Sequence, residues 1–162
     1  MPEASDITEI RHAVRQLCAK FGESYWLELD RDRGYPTEFV QALTESGFLT
    51  VLIPEAYGGS GLGVYEASII MEEVCRAGAH AGACHAQMYV MGSVLRHGSE
   101  AQKQYYLPKI AAGELRLQSF GVTEPTTGTD TTSLKTTARL DGDHYVVNGQ
   151  KVWISRIEHS DL

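Results

Sequence analysis

The fold of this 162-residue chain is decided by the stretch Gly121-Val122-Thr123-Glu124-Pro125-Thr126-Thr127-Gly128-Thr129-Asp130, which a second stretch, Asn148-Gly149-Gln150-Lys151-Val152-Trp153-Ile154-Ser155, follows. Taken alone, the first is typical of the end of a strand and a turn. Trp153 alone is typical of a core residue. Their order and spacing favour the alternative, in which both stretches belong to one ligand site.

Upstream of these stretches, apolar residues recur at the spacing of helices. A capping box at Asp6–Glu9 predicts the start of a first helix, and Pro36 and Gly47 bound another. Further helices are predicted at about 64–77, 79–97 and 100–112. The apolar period then changes near Gly113. Downstream, 115–120 predicts a strand, 132–140 and 145–147 predict an antiparallel hairpin, and 152–154 continues from the Asn148-Gly149 turn.

Composition excludes several classes of protein. The net charge of −7 and the lack of a Lys/Arg cluster argue against nucleic-acid binding. No apolar run is long enough to span a bilayer, so we expect no membrane partner and a cytoplasmic protein. Three cysteines, without a CxxC pair, predict buried reduced thiols instead of a disulfide framework or a zinc cluster. The scattered histidines give no metal site.

From about Asp6 to Leu162 the chain resembles the acyl-CoA dehydrogenases. Four landmarks occur in the family's order: Pro54-Glu55-x-x-Gly58-Gly59, Gln104-Tyr105-Tyr106-Leu107-Pro108, Thr123-Glu124-Pro125 and Lys151-x-Trp153-Ile154-Ser155. The resemblance implies an α+β fold, with an N-terminal all-α helical domain at 1–114 and an incomplete antiparallel, barrel-like β middle domain at 115–162. It also implies a homo-oligomer, dimer or tetramer, in the complete enzyme.

The resemblance further implies that the cofactor is FAD, whose ring needs backbone donors, hydroxyls and an aromatic neighbour. By the family's pattern Trp153 packs beside the ring and the Ser155 hydroxyl bonds flavin N5. The implied cofactor-binding residues are Phe120, Val122, Thr123, Trp153, Ile154 and Ser155. For the acyl-CoA substrate the pattern implies Thr129, near the CoA arm, and the helical face of Gln87 and Met91.

The implied reaction is the α,β-dehydrogenation of an acyl-CoA thioester in fatty-acid metabolism, with hydride transfer to FAD and electrons passed to an electron-transfer flavoprotein. No glutamate matches the family's catalytic base, so no catalytic residue is assigned, and Glu72 and Glu73 are interpreted as a solvated helix face. We expect the chain to stop before that base. The alternatives are a catalytically silent module that packs against another subunit, or a fold relative such as an acyl-CoA oxidase or a flavin monooxygenase.

Overall fold

The computed structural model describes residues 4–162, in which six α-helices precede one β-hairpin. The elements are α1 Ala4–Cys18, α2 Glu23–Asp32, α3 Thr37–Glu45, α4 Val64–Arg76, α5 Ala81–His97, α6 Glu100–Ala111, β1 Thr137–Asp141 and β2 His144–Asn148. The α+β class is therefore confirmed. None of the helices in this part of the chain is long and apolar enough to cross a membrane.

Two hydrophobic clusters hold the helices together. The first joins α1, α3 and α4 to the start of α5, through buried side chains such as Val14, Leu43 and Ile70. The second joins α5 and α6 to the segment that follows, with Met91, Leu107, Ile110 and Leu117 among its buried residues. Each large apolar side chain removed from water contributes roughly 1.5–3 kcal/mol. The hydrophobic core is therefore built mainly on the helices and reaches as far as Leu117.

The predicted helix bounds agree with the structure except near the N-terminus. Helix α1 already begins at Ala4, so Asp6 lies in its first turn and is not the predicted cap. Helix α2 was missed by the sequence reading. It has no fully buried residue: Tyr25, Trp26 and Leu29 are only partly buried, and Leu27 is 55% exposed. The apolar signal of this short helix is therefore weak.

The predicted hairpin is present but shorter. β1 and β2 pair in antiparallel register from Thr137 opposite Asn148 to Asp141 opposite His144, and Gly142 turns between them with φ 65°. The predicted start at 132 was wrong, because residues 131–133 form a 3₁₀ turn whose N-cap is Asp130. These residues cannot join a ladder while the Asp130 carboxylate accepts the Thr132 N–H.

The predicted strands at 115–120 and 152–154 have no strand partner in the described chain. The backbone at 116–119 bonds instead to residues 160 and 161. Asp161 N–H donates to the Arg116 carbonyl at 2.8 Å, and the Ser160 hydroxyl accepts the Gln118 N–H at 2.8 Å. Tyr35 donates its hydroxyl to the buried Gln118 amide oxygen. The segment that carries the first motif is thus fastened to the helical body.

Candidate functional site

The two motif stretches lie side by side and are joined by three hydrogen bonds. Val152 N–H donates to the Thr123 carbonyl at 2.9 Å. The Lys151 ammonium donates to the Val122 carbonyl at 3.0 Å and to the Glu124 carboxylate at 2.9 Å. The sequence places Lys151 between Asn148-Gly149 and Trp153, so a bond from its side chain fixes where that loop stands relative to 120–124.

Glu124 is the buried centre of this arrangement. Its side chain accepts the backbone N–H groups of Lys135 at 2.6 Å and Thr136 at 2.9 Å as well as the Lys151 ammonium. The Lys151 ammonium is the main cause that lowers the pKa of Glu124 to about 2, and the backbone donors add to it. A carboxylate with these partners stays charged at neutral pH, and it links the first motif stretch to the backbone at 135–136 and to Lys151.

Trp153 stands out from this fastened loop into solvent. Its side chain is 89% exposed and its backbone is left-handed, with φ 60°. A bulky residue in that region costs about 1–2 kcal/mol, and such outliers cluster at ligand sites. Burial of the indole in the core, which the sequence left open, does not occur in this structure. The loop holds a large flat side chain where a ligand can reach it.

Hydrogen-bonding groups next to Trp153 are free to meet a ligand. Within residues 4–162, no acceptor receives the backbone N–H of Val122 or Thr123, and the hydroxyls of Thr123 and Ser155 have no hydrogen-bond partner. Ser155 is exposed, as is Thr129, and Phe120 is about half exposed. Ile154 is partly buried against Gly121. The two hydrogen-bonded stretches therefore offer a ligand N–H donors, hydroxyls and an exposed indole.

Helix α5 turns a different face to this surface from the one the sequence indicated. Gln87 and Met91 are fully buried in the core, and both polar atoms of the Gln87 amide lack a partner among the described residues. The outward face carries His85 and Tyr89, whose ring centroids lie 4.8 Å apart. Tyr89 in turn meets the Phe120 ring at 5.8 Å. The i, i+4 spacing of the two rings was the available sequence signal.

The Glu72–Glu73 pair differs from its predicted solvated role. Glu73 is 1% exposed and binds the guanidinium groups of Arg11 and Arg15, each at 2.6 Å, while Glu72 remains exposed. The Arg15 hydrogen bond, followed by that of Arg11, lowers the pKa of Glu73 to about 2. The prediction for Glu73 was wrong because its partners lie on α1, about sixty residues earlier in the chain. The spacing of residues along α4 contains no information about them.

The cysteines follow the sequence prediction in part. Cys18 and Cys84 are buried free thiols, and burial raises the pKa of Cys84 to about 12. Cys75 is exposed, contrary to the prediction that all three are buried, because it lies on the outer side of α4. In the part of the chain that the structure describes, no cluster of three or more His, Cys, Asp or Glu side chains could hold a metal ion.

Comparison with known proteins agrees with the landmarks. The model of the acyl-CoA dehydrogenase N-terminal domain matches residues 4–114, and that of the middle domain matches residues 119–162. The chain belongs to the acyl-CoA dehydrogenase family. Among the curated members of that family, FadE12 of Mycobacterium tuberculosis is 36% identical over 159 residues, which cover 98% of this chain and 41% of FadE12.

Solved acyl-CoA dehydrogenases share the fold. The structure of glutaryl-CoA dehydrogenase in complex with glutaryl-CoA matches with a TM-score of 0.86 and 34% identity, over 99% of this chain and 42% of that one. An acyl-CoA dehydrogenase from Bacillus anthracis in complex with FAD matches with a TM-score of 0.82 and 32% identity, over 98% and 28%. This chain thus spans about two fifths of the length of the curated relatives it matches.

Proposed function

We propose that this chain supplies one wall of the flavin and substrate site of an FAD-dependent acyl-CoA dehydrogenase. The observation that carries the proposal is the fastening of the two motif stretches by Lys151 and Val152, which sets an 89%-exposed indole beside unbonded N–H groups and hydroxyls. Family membership and the FAD complex of a relative support the same choice of cofactor.

The chemistry of this donor set fits a flavin. An isoalloxazine ring has hydrogen-bond acceptors along one edge and two apolar faces. Thr123, with its N–H and hydroxyl, would hold the acceptor edge, Trp153 would cover a face, and the Ser155 hydroxyl would donate near N5. When bound, FAD would supply the two-electron acceptor for dehydrogenation of an acyl-CoA. The task of this chain is to orient that ring and to exclude water from one side of it.

We assign no general base to the described residues. An α-proton of a thioester is removed by a group whose pKa lies near the working pH. Glu73 and Glu124 are the buried carboxylates with lowered pKa, each about 2, which is far below neutral pH. Glu73 forms ion pairs with arginines and Glu124 forms one with Lys151. They position other groups and do not remove protons. Electron transfer to an electron-transfer flavoprotein, a homo-oligomeric enzyme and a cytoplasmic location complete the proposal.

Replacement of Trp153 tests the flavin role. In a titration of FAD into the chain, followed by flavin fluorescence, we expect saturable quenching, and we expect Trp153→Ala to weaken it. The lost contact is a large aromatic side chain worth roughly 1–3 kcal/mol, or about fivefold to 150-fold in the dissociation constant.

The matched control is Tyr145→Ala, which removes another aromatic ring that is 66% exposed but lies on β2, outside both motif stretches and eight residues before Trp153. This variant should bind FAD as the parent chain does. If Trp153→Ala leaves the quenching curve unchanged, or if Tyr145→Ala weakens it equally, the flavin does not lie against the Trp153 loop.

A further inference from the structure

The outward face of α5 continues the surface that begins at Phe120. Leu117 belongs to the same core cluster as Val90 and Met91 of α5, so the chain that enters the first motif lies close to this helix. Three residues further on, Phe120 meets Tyr89 edge-on, with centroids 5.8 Å apart and an interplanar angle of 73°. Phe120 and Tyr89 therefore form one continuous surface, and a ligand that covers Phe120 also lies close to Tyr89.

This face is aromatic instead of aliphatic. His85 and Tyr89 contact each other at 4.8 Å, Tyr89 is 38% exposed and Phe120 is 49% exposed, so all three rings keep open surface. Beyond them Gly92 leaves open space, since a Cβ placed there would meet nothing within 4 Å. The aliphatic residues of this helix, Val90 and Met91 among them, are turned into the core.

Such a face distinguishes between acyl groups. Aromatic rings prefer offset or edge-to-face partners at centroid distances of about 4.5–7 Å, and these contacts are worth more than the area they bury. A saturated chain gains only the burial of its area there. The His85–Tyr89–Phe120 face, with free ring edges and an open end at Gly92, is suited to a flat group that packs against those edges.

We propose that this face selects acyl-CoA thioesters whose acyl group carries an aromatic ring, with Tyr89 as a specificity-determining residue. The inference rests on the proposed function. The reacting carbons of the substrate must come within about 3–3.5 Å of the acceptor atom. With a flavin at residues 120–123, the acyl group bound beside it therefore runs along the face of α5 that adjoins Phe120.

The test measures binding of phenylpropanoyl-CoA and octanoyl-CoA to the FAD-supplemented chain by saturation-transfer NMR, which detects weak complexes. We expect the phenyl protons to receive strong transfer and phenylpropanoyl-CoA to bind about threefold to tenfold more tightly than octanoyl-CoA, the value of one or two aromatic contacts. Tyr89→Leu should abolish this preference, and Tyr89→Phe should keep it. Tyr65→Leu, which removes a 60%-exposed ring on α4, should leave it unchanged.

The outcomes separate this inference from the function on which it rests. Equal affinity for both thioesters, or a preference that survives in Tyr89→Leu, overturns the aromatic selection while the flavin role stands. Absence of transfer to either thioester, with FAD binding intact, overturns it as well. Failure of the flavin role is recognised independently, by an FAD titration that Trp153→Ala does not alter.

Discussion

Lys151 links the two motif stretches more directly than any other side chain. Its ammonium holds both the Val122 carbonyl and the buried Glu124 carboxylate. We expect Lys151→Met to release the Trp153 loop and to speed hydrogen exchange of the Val152 amide, which donates to Thr123, by about tenfold or more, the value of a hydrogen bond to a charged group. Exchange measured by NMR checks this, and FAD quenching should weaken in parallel.

Lys135→Met is the matched control for this prediction. Lys135 contributes only its backbone N–H to Glu124, and that group survives the substitution. Exchange at Val152 should therefore match the parent chain. Equal exchange rates in both variants would mean that the Val152–Thr123 bond holds the loop without help from the ammonium.

At the scale of single residues, the motifs predicted which residues would lie together, but the sequence did not predict burial that depends on residues far away in the chain. The runs through Thr123 and Trp153 predicted a ligand site, and the structure brings the two runs together through the bond from Val152 to Thr123. Gln87 and Met91 lie on a real helical face, but periodicity does not say which face of a helix turns inward, and this one is buried. Their role in substrate binding, like that of the flavin residues, stays a prediction.

At the scale of elements, prediction succeeded where one chain segment determines its own structure. Helices α4, α5 and α6 and the Gly142 turn follow from local period and turn chemistry. It failed at 115–120, where an apolar alternation resembles a strand but the backbone bonds to Ser160 and Asp161. Strand pairing needs a partner elsewhere in the chain, and a short stretch of sequence does not contain that information.

The ion pairs that join Glu73 on α4 to Arg11 and Arg15 on α1 give a prediction for stability. Glu73 is buried against Arg11 and Arg15, so Glu73→Gln leaves two cations without their carboxylate. We expect the melting temperature at neutral pH to fall by roughly 5 °C or more, since breaking a buried pair is among the costly substitutions. Glu72→Gln should have a much smaller effect, because Glu72 is 53% exposed and binds Arg11 alone.

The same ion pairs of Glu73 predict how stability depends on pH. The folded-state pKa of Glu73, about 2, lies below its ordinary value of 4.5. Its contribution is therefore present above pH 4.5 and is lost as the pH falls toward 2. Thermal melts across this range should show a smaller loss in Glu73→Gln than in the parent chain. An identical pH profile for the two proteins would remove Glu73 from the acid-sensitive part of the stability.

At the scale of the whole molecule, the hydrophobic core and the candidate site occupy different parts of the chain. Neither core cluster extends beyond Leu117, and after Gln118 the sole buried residue in the described chain is Glu124. The two-stranded hairpin has no apolar face of its own against the helices, and an isolated hairpin is marginally stable. The domain boundary at 114/115 stays a prediction, and the change in packing lies a few residues after it, beyond Gln118.

This division leads to the last prediction, that the 162-residue chain binds FAD weakly. The described residues present the flavin with one surface, and the 89%-exposed Trp153 side chain loses rotamer freedom on binding, which offsets part of the contact energy. We expect a dissociation constant above the micromolar range, together with faster hydrogen exchange after Gln118 than in α4 or α5. Flavin fluorescence titration and size-exclusion chromatography of the same sample measure this. Submicromolar binding by a monodisperse monomer would show that residues 119–162 already build a closed flavin site, and that the open surface seen here tightens around its ligand without further partners.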